Sequence, residues 1–289
     1  MNNSMIENQF INYFENNVKK TIDKFNLISK NDKLLVACSG GKDSTSLLHL
    51  LKKFGYNVEA IFIDLHLGDY SNKNQKNVRM FCKENKIKLY EFSLRNEFGC
   101  SVCYMKSVLK SKNIIMRSCK ICAILRRWLL NRKARELKAT KLVTGHNLDD
   151  EVETILMNFF SGNINLLARM GPITGVIKNE KFVPRIKPLY FCTNEETAKY
   201  SKLMNFPVVY EKCPCSTDAY RGHFRRFINE IEKNHPGTKN KMVKDFLKVL
   251  PKLKQNSKKN KEISYCEKCG EPSSKKLCNA CILMKELTK

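Results

Sequence analysis

The segment from Leu34 to Lys53 constrains this chain more than any other. An apolar run, Leu34-Leu35-Val36-Ala37-Cys38, meets Ser39-Gly40-Gly41-Lys42-Asp43-Ser44 and then an amphipathic stretch carrying Leu47, Leu48, Leu50 and Leu51. The pattern predicts a strand, a two-glycine turn and a helix start, which commits the chain to an α/β architecture. Glycines let a ligand approach the backbone closely, and a helix N-terminus favours an anion. Lys42 adds a point charge, and Ser39 and Ser44 add hydroxyls. This is not the Walker A pattern, which needs four residues between its first glycine and the Gly-Lys pair. An ordinary tight turn and an anion-binding loop both fit the segment taken alone.

The rest of the chain extends the same architecture. Ile6, Phe10, Phe14, Val18 and Ile22 recur every four residues, one stripe of an N-terminal helix. Strands are expected at Leu34–Ser39, Val58–Leu65, Lys88–Leu94, Lys141–Gly145 and Phe182–Leu189, with helical patterns between most of them. That alternation predicts a doubly wound parallel sheet, whose ligands sit beyond the carboxyl ends of the strands. Ser39, Asp64 and Gly145 would lie at that edge. Thr193 and Glu196 form a capping-box pattern, and a helix is expected over Arg221–Asn234. Lys248–Lys261 reads as an exposed tether. The expected organisation is an N-terminal helix over 1–30, the sheet domain over 31–192, a helical part over 193–254, and a lysine-rich tether with a cysteine module over 255–289.

The 289 residues carry 53 Lys+Arg against 28 Asp+Glu, a formal charge of +25, which points to a polyanionic partner, nucleic acid first. A lysine-rich compositional bias would give the same charge. No apolar run is long enough to span a bilayer, and the polar start Met1-Asn2-Asn3-Ser4 does not read as a signal peptide, so a cytoplasmic protein is expected.

Thirteen cysteines in such a chain indicate metal or redox chemistry rather than disulfides. Cys38, Cys82 and Cys192 stand alone and read as small core residues. Cys266, Cys269, Cys278 and Cys281 make two Cys-x2-Cys pairs separated by eight residues, a closed tetrahedral set that fits structural zinc. Cys119 and Cys122 precede a helical stretch with Arg126, Arg127, Arg132, Lys133 and Arg135. With Cys100 and Cys103 they complete a zinc spacing, which spacing alone favours. Alternatively they join a distant cysteine around an iron–sulfur cluster, or carry sulfur.

Several motifs occur in a fixed order: the Ser39–Ser44 loop, Cys119/Cys122, Gly145-His146-Asn147-Leu148-Asp149-Asp150-Glu151, Arg169-Met170-Gly171-Pro172, Arg185-Ile186-Lys187-Pro188-Leu189, Cys213-Pro214, His235-Pro236-Gly237-Thr238-Lys239, and the terminal cysteine pairs. The loop resembles that of the PP-loop ATP pyrophosphatases, and the ordered set resembles the tRNA uridine 2-thiolation enzymes (the TtuA/NcsA group) from about Tyr13 to Cys281. The resemblance implies a [4Fe–4S] cluster on Cys119, Cys122 and Cys213 with one iron open. It implies ATP on Ser39, Gly40, Gly41, Lys42, Asp43 and Ser44, with Ala37 and Ile63 near the adenosine and Gly145 and Asp150 at further nucleotide positions. Asp150 is expected to help hold Mg²⁺, and Lys42 and Asp150 join the three cysteines as catalytic residues. A basic residue of the family, often lysine, falls on Arg126. Many relatives begin with an additional zinc module that is not seen ahead of the first helix here. Cys215 is a competing ligand, and Cys100 and Cys103 match no family ligand.

The implied activity replaces the C2 oxygen of a tRNA uridine with sulfur after adenylation by ATP. The implied partners are tRNA and a sulfur donor, whether sulfide, a persulfide or a ubiquitin-like thiocarboxylate carrier, and the family implies a homodimer. Rival readings are a tRNA cytidine thiolase, another PP-loop tRNA-modifying enzyme such as a lysidine synthetase, and a non-catalytic zinc or iron–sulfur nucleic-acid-binding protein. Arg221, Arg225, Arg226 and the Lys248–Lys261 stretch are the expected phosphate contacts.

Overall fold

The computed structural model of the chain describes residues 2–176, 179–216, 220–258 and 264–288. Helix α1 (Asn2–Lys24) is followed by β1 (Leu34–Cys38), α2 (Lys42–Lys53), β2 (Val58–Asp64), α3 (Asp69–Glu84), β3 (Leu89–Ser93), α4 (Leu94–Phe98), α5 (Val102–Ser111), α6 (Ser118–Glu136) and β4 (Lys141–Thr144). Next come α7 (Leu148–Phe160), α8 (Ile164–Leu167), β5 (Ile173–Thr174), β6 (Arg185–Ile186), α9 (Asn194–Leu203), α10 (Arg221–Asn234) and α11 (Thr238–Lys258), with one 3₁₀ turn at Pro214–Ser216. A hairpin, β7 (Ser264–Tyr265) and β8 (Pro272–Ser273), and α12 (Asn279–Thr288) end the described chain.

The six strands order as β3-β2-β1-β4-β6-β5. Neighbours from β3 to β6 are parallel, and β5 closes the edge antiparallel to β6. Strand β1 pairs with β2 on one side and β4 on the other, so the strand order reverses there and a crevice opens beyond its carboxyl end. Both faces of β1 are covered, which is why its sequence is apolar throughout. Leu34, Val36 and Cys38 pack with Phe14, Val18, Leu47 and Leu51 from α1 and α2. Leu35 packs with Leu125 and Leu129 of α6 on the other face. A third cluster joins Leu148 and Val152 of α7 to Ile228 of α10 and Val243 and Leu250 of α11.

Three expectations need correction. The strand expected over Phe182–Leu189 is only Arg185–Ile186, because Lys187 and the residues after it turn inward to pair with α7. Ile6 lies outside the packed part of the α1 stripe and is exposed, whereas Phe14, Val18 and Ile22 are buried. The expected tether is helical as far as Lys258, since Phe246 and Leu250 seat α11 in the third cluster; residues 259–263 of that stretch lie outside the described residues.

The cysteine module packs against α5 and α6. Cys266, Cys278, Cys281 and Leu283 share a core with Leu125 and Leu129. Arg135 pairs with buried Glu271, to which Asn131 Nδ2 also donates at 3.1 Å, and Lys112 Nζ caps α12 by donating to the Glu286 carbonyl at 3.0 Å. Thus α6 carries Cys119 and Cys122 at its start and the module farther along. Among the described residues, no helix is long and apolar enough to cross a membrane.

Candidate active site

The turn after β1 is built to expose backbone. Gly40 sits at φ +79, and a Cβ there would lie 2.5 Å from Asn74 Oδ1, so the position requires glycine on two counts. Gly41 starts α2 without a side-chain cap, which leaves the first turn of the helix turned toward an incoming anion. Ser44 Oγ fixes the loop by accepting from the Ser39 N–H at 3.1 Å and donating to the Gly41 carbonyl at 3.1 Å. Gly145, at the end of β4, presses on the same turn: a Cβ there would lie 2.9 Å from the Ser44 nitrogen. Gly145→Ala should therefore displace the start of α2 and weaken ATP binding by roughly tenfold, about 1.4 kcal/mol. Calorimetric titration checks this, and an unchanged affinity would contradict it.

Beyond this turn lies a cavity of about 470 Å³, within the range of ligand sites. Its lining brings Ala37, Ser39, Asp43, Ser44, Ile63, Gly145 and Asp150 together with Cys119, Cys122, Arg126 and Cys213. Gly40, Gly41 and Lys42 are not in its lining. Lys42 instead reaches Asp43 Oδ1 and Asn194 Oδ1, both at 2.7 Å, so its charge is directed toward the start of α9.

The thiols arrive from separate elements. Cys119 and Cys122 occupy the first turns of α6, and the 3₁₀ turn at Pro214–Ser216 packs against that helix. Cys119 Sγ donates to the Cys215 carbonyl at 3.3 Å. Burial pushes the Cys122 thiol up; Arg126 opposes this, and Cys213 adds to it. Among the described residues, the tight metal-ligand grouping is Cys266, Cys269, Cys278 and Cys281, whose sulfurs lie within 4.8 Å of one another. At Cys266, backbone N–H donors overcome the opposing effect of burial and bring the thiol down to about 6. Cys100, Cys103, Cys119 and Cys122 are not drawn together in this way, and Cys100 turns to the Phe98 carbonyl, against the second zinc site that their spacing favours. Cys119, Cys122 and Cys213 share the cavity wall without forming a single-ion grouping of this kind.

Arginines surround the thiols. Arg126, Arg127, Arg185 and Arg221 all line the cavity. Burial, aided by Arg127 and Arg126, brings Arg185 down to about 10, and its Nε has no hydrogen-bond partner among the described residues. A buried guanidinium N–H without an acceptor invites an anion.

The Gly145–Glu151 motif is mostly an ion-pair hub at the start of α7. Asn147 and Asp150 close a reciprocal capping box. Asp150 Oδ1 also accepts from Arg221 Nη1 at 2.9 Å. Burial alone would raise the Asp150 carboxyl, but His146, Arg221 and the Asn147 N–H hold it below the usual range. Asp149 takes Lys239, Glu151 takes Lys187, and Glu153 takes Arg225 at 2.6 Å. Arg221 and Arg225, expected to hold tRNA phosphates, are therefore engaged by carboxylates. The acid–base spacing across these motifs was the available sequence signal, but nothing in the sequence tells which lysine meets which acid.

His146 shares a hydrogen bond with Thr144 Oγ1 at 2.9 Å and is pushed down to about 3 by burial, which Asp150 opposes and Lys187, Arg185 and Arg221 reinforce. A histidine kept neutral in the fold but protonated below about 6.5 when unfolded makes the unfolded state bind more protons. Stability is therefore lost as pH falls from 6.5 toward 3, by at most about 1.4 kcal/mol per pH unit. His146→Gln should flatten that slope in urea melts between pH 6.5 and 4.5; an unaltered slope would contradict the assignment.

A PP-loop domain model matches residues 11–231, and the chain belongs to that PP-loop family. It is 34% identical over 277 residues to the tRNA-5-methyluridine(54) 2-sulfurtransferase of Pyrococcus horikoshii, covering 96% of this chain and 86% of the relative. It is 32% identical over 288 residues to the cytoplasmic tRNA 2-thiolation protein 1 of Caenorhabditis elegans, covering 96% and 74%. Its structure is similar to that of the U34-tRNA thiolase NcsA from Methanococcus maripaludis with its [4Fe–4S] cluster, at a TM-score of 0.81 and 28% identity, covering 97% of this chain and 89% of that one.

Proposed function

We propose that the chain is an ATP-dependent tRNA sulfurtransferase that forms 2-thiouridine. The observation that carries this is the single cavity shared by the first turn of an uncapped helix, by Cys119, Cys122 and Cys213, and by a set of arginines. A turn that binds pyrophosphate and thiols that hold a cluster are needed together only where activation by ATP precedes sulfur insertion.

In this reading Ala37 and Ile63 border the adenosine, and the α2 terminus with Ser39 and Ser44 receives the β- and γ-phosphates. The C2 oxygen of uridine, a poor leaving group, attacks the α-phosphorus, and pyrophosphate departs. Arg126, Arg127 and Arg185 line the space where negative charge grows, and their fixed positive charge would favour it there. A sulfur nucleophile then attacks C2, and AMP leaves. Cys119, Cys122 and Cys213 would hold a [4Fe–4S] cluster, which supplies one iron without a protein ligand as a Lewis-acid site for sulfur. Asp150, whose oxygens also accept from Arg221 and the Asn147 N–H, would be the carboxylate that helps hold Mg²⁺ beside the phosphates. Cys266, Cys269, Cys278 and Cys281 would hold structural Zn²⁺.

The +25 charge suits tRNA, whose target uridine must be unstacked at a cost of a few kcal/mol, roughly. Sulfide, a persulfide or a thiocarboxylate carrier would supply the sulfur, and a homodimer in the cytoplasm completes the reading. Incubation of anaerobic protein with unmodified tRNA, ATP and sulfide should yield 2-thiouridine by nucleoside mass spectrometry, one AMP per thiolation. ATP consumption without thiolated nucleoside would contradict it.

A further inference from the structure

Exposed aromatic side chains collect at one edge of the cavity. Helices α6 and α10 begin there: their N-caps, Arg117 and Tyr220, directly precede Ser118 and Arg221 of the cavity lining. The Arg117 guanidinium lies 5.9 Å from the Tyr220 ring centroid, a cation–π contact that ties the two helix starts together. From Tyr220 a row of rings leads away. Phe224, one turn on, meets Tyr220 edge-on at 5.0 Å between centroids. Phe160, at the end of α7, lies 5.6 Å from Phe224, and Phe159 lies 6.1 Å from Phe160. Phe159 and Phe160 are 70% and 65% exposed, and Tyr220 is 44% exposed. Single apolar residues at a surface are ordinary, but a connected row of exposed aromatics marks a binding face.

The charge around the row selects the partner. The chain has no acidic residue from Thr154 to Val176, nor from Tyr220 to Phe227, and Arg169 and Arg226 of these stretches are exposed. A second copy docked face to face would set such arginines against their own counterparts, whereas a polyanion would be drawn to them. Rings beside cations suit single-stranded RNA, whose bases stack on aromatic faces while its phosphates meet the charges. Duplex RNA keeps its base faces covered. We propose that Phe159, Phe160, Phe224 and Tyr220 form a stacking ledge for the unpaired tRNA bases that flank the target uridine. The inference rests on the reading that the chain modifies a tRNA uridine. Stacking on the ledge offsets part of the cost of opening the loop. Because Tyr220 adjoins Arg221, the ledge delivers the strand to the cavity itself.

The test measures binding of an unmodified tRNA transcript, and of a loop-free RNA duplex, to the full-length protein and to variants at Phe160. Because Phe160 is exposed, the melting temperature should hold in each variant. Phe160→Ala and Phe160→Leu should both weaken tRNA binding about tenfold, with duplex binding and the sedimentation coefficient unchanged. Phe160→Trp should keep tRNA binding at the wild-type level. Leucine retains apolar surface without a flat ring, so wild-type affinity in Phe160→Leu overturns the ledge. An equal loss on the duplex overturns it too, as does a changed sedimentation coefficient, which marks an interface between copies of the chain. Nucleoside mass spectrometry of the wild type with sulfide, ATP and tRNA tests the underlying reading separately. Thiolation with ring-independent binding overturns the ledge alone; ring-dependent binding without thiolation overturns the sulfurtransferase reading alone.

Discussion

Cys213→Ala is expected to lower 2-thiouridine formation at least about a hundredfold while ATP affinity stays within about twofold of wild type. Changes in the shell around a metal ligand already cost 10–100-fold, and this change would delete one of three ligands. The fold should tolerate it, because Cys213 is half-buried on the segment leading to a single 3₁₀ turn rather than packed in any of the three cores; such sites usually shift stability by about 0.5 kcal/mol or less. Cys100→Ala provides the contrast, since that thiol faces the Phe98 carbonyl outside the cavity. Nucleoside mass spectrometry and ATP titration on both variants decide the matter. A Cys213→Ala enzyme with near-normal thiolation would remove Cys213 from the centre.

The largest stability effect is expected at Lys187, in a motif that reads as functional. Its ammonium is buried and pairs with Glu151, itself 1% exposed, whose second oxygen has no partner among the described residues. Removing one member of such a pair leaves an isolated buried charge, at a cost of about 3–5 kcal/mol. Lys187→Met should thus lower the melting temperature by roughly 6–12 °C. Glu151→Leu added to it should recover most of the loss, because the penalty comes from the orphaned carboxylate. Burial already pushes the Glu151 carboxyl up, so the single variant's folded state prefers the proton and its deficit should grow as pH rises through the carboxylate range. Thermal melts of both variants at pH 4.5 and 7 check each part, and a single variant within 1 kcal/mol, about, of wild type contradicts the argument.

The sheet domain was legible because its signals are local. An apolar five-residue run ended by two glycines has few alternatives to a strand and a turn, and β1 and α2 fall where that pattern puts them. The capping box at Thr193 was equally local. Long-range partners were not legible. His235–Lys239 and Arg185–Leu189 looked like site motifs, yet Lys239 and Lys187 spend their charges on Asp149 and Glu151 of one helix turn. Composition made Lys248–Lys261 look solvated, but Val243, Phe246 and Leu250 at helical spacing carry α11 through it as far as Lys258. Spacing joined Cys100 and Cys103 to Cys119 and Cys122, whereas Cys100 turns to the Phe98 carbonyl and the four thiols are not drawn together as the distal four are. Docking of the cysteine module on α6 depends on Glu271 meeting Arg135 across 136 residues, a pairing no local pattern encodes.

The most direct measurement is the metal content and electronic spectrum of protein purified without oxygen, with the four distal cysteines accounted for separately. The account predicts about four iron and four acid-labile sulfide per chain, lost in Cys119→Ala, Cys122→Ala and Cys213→Ala and kept in Cys278→Ala. A colourless protein with zinc at Cys119 and Cys122, or iron that survives all three substitutions, would contradict it.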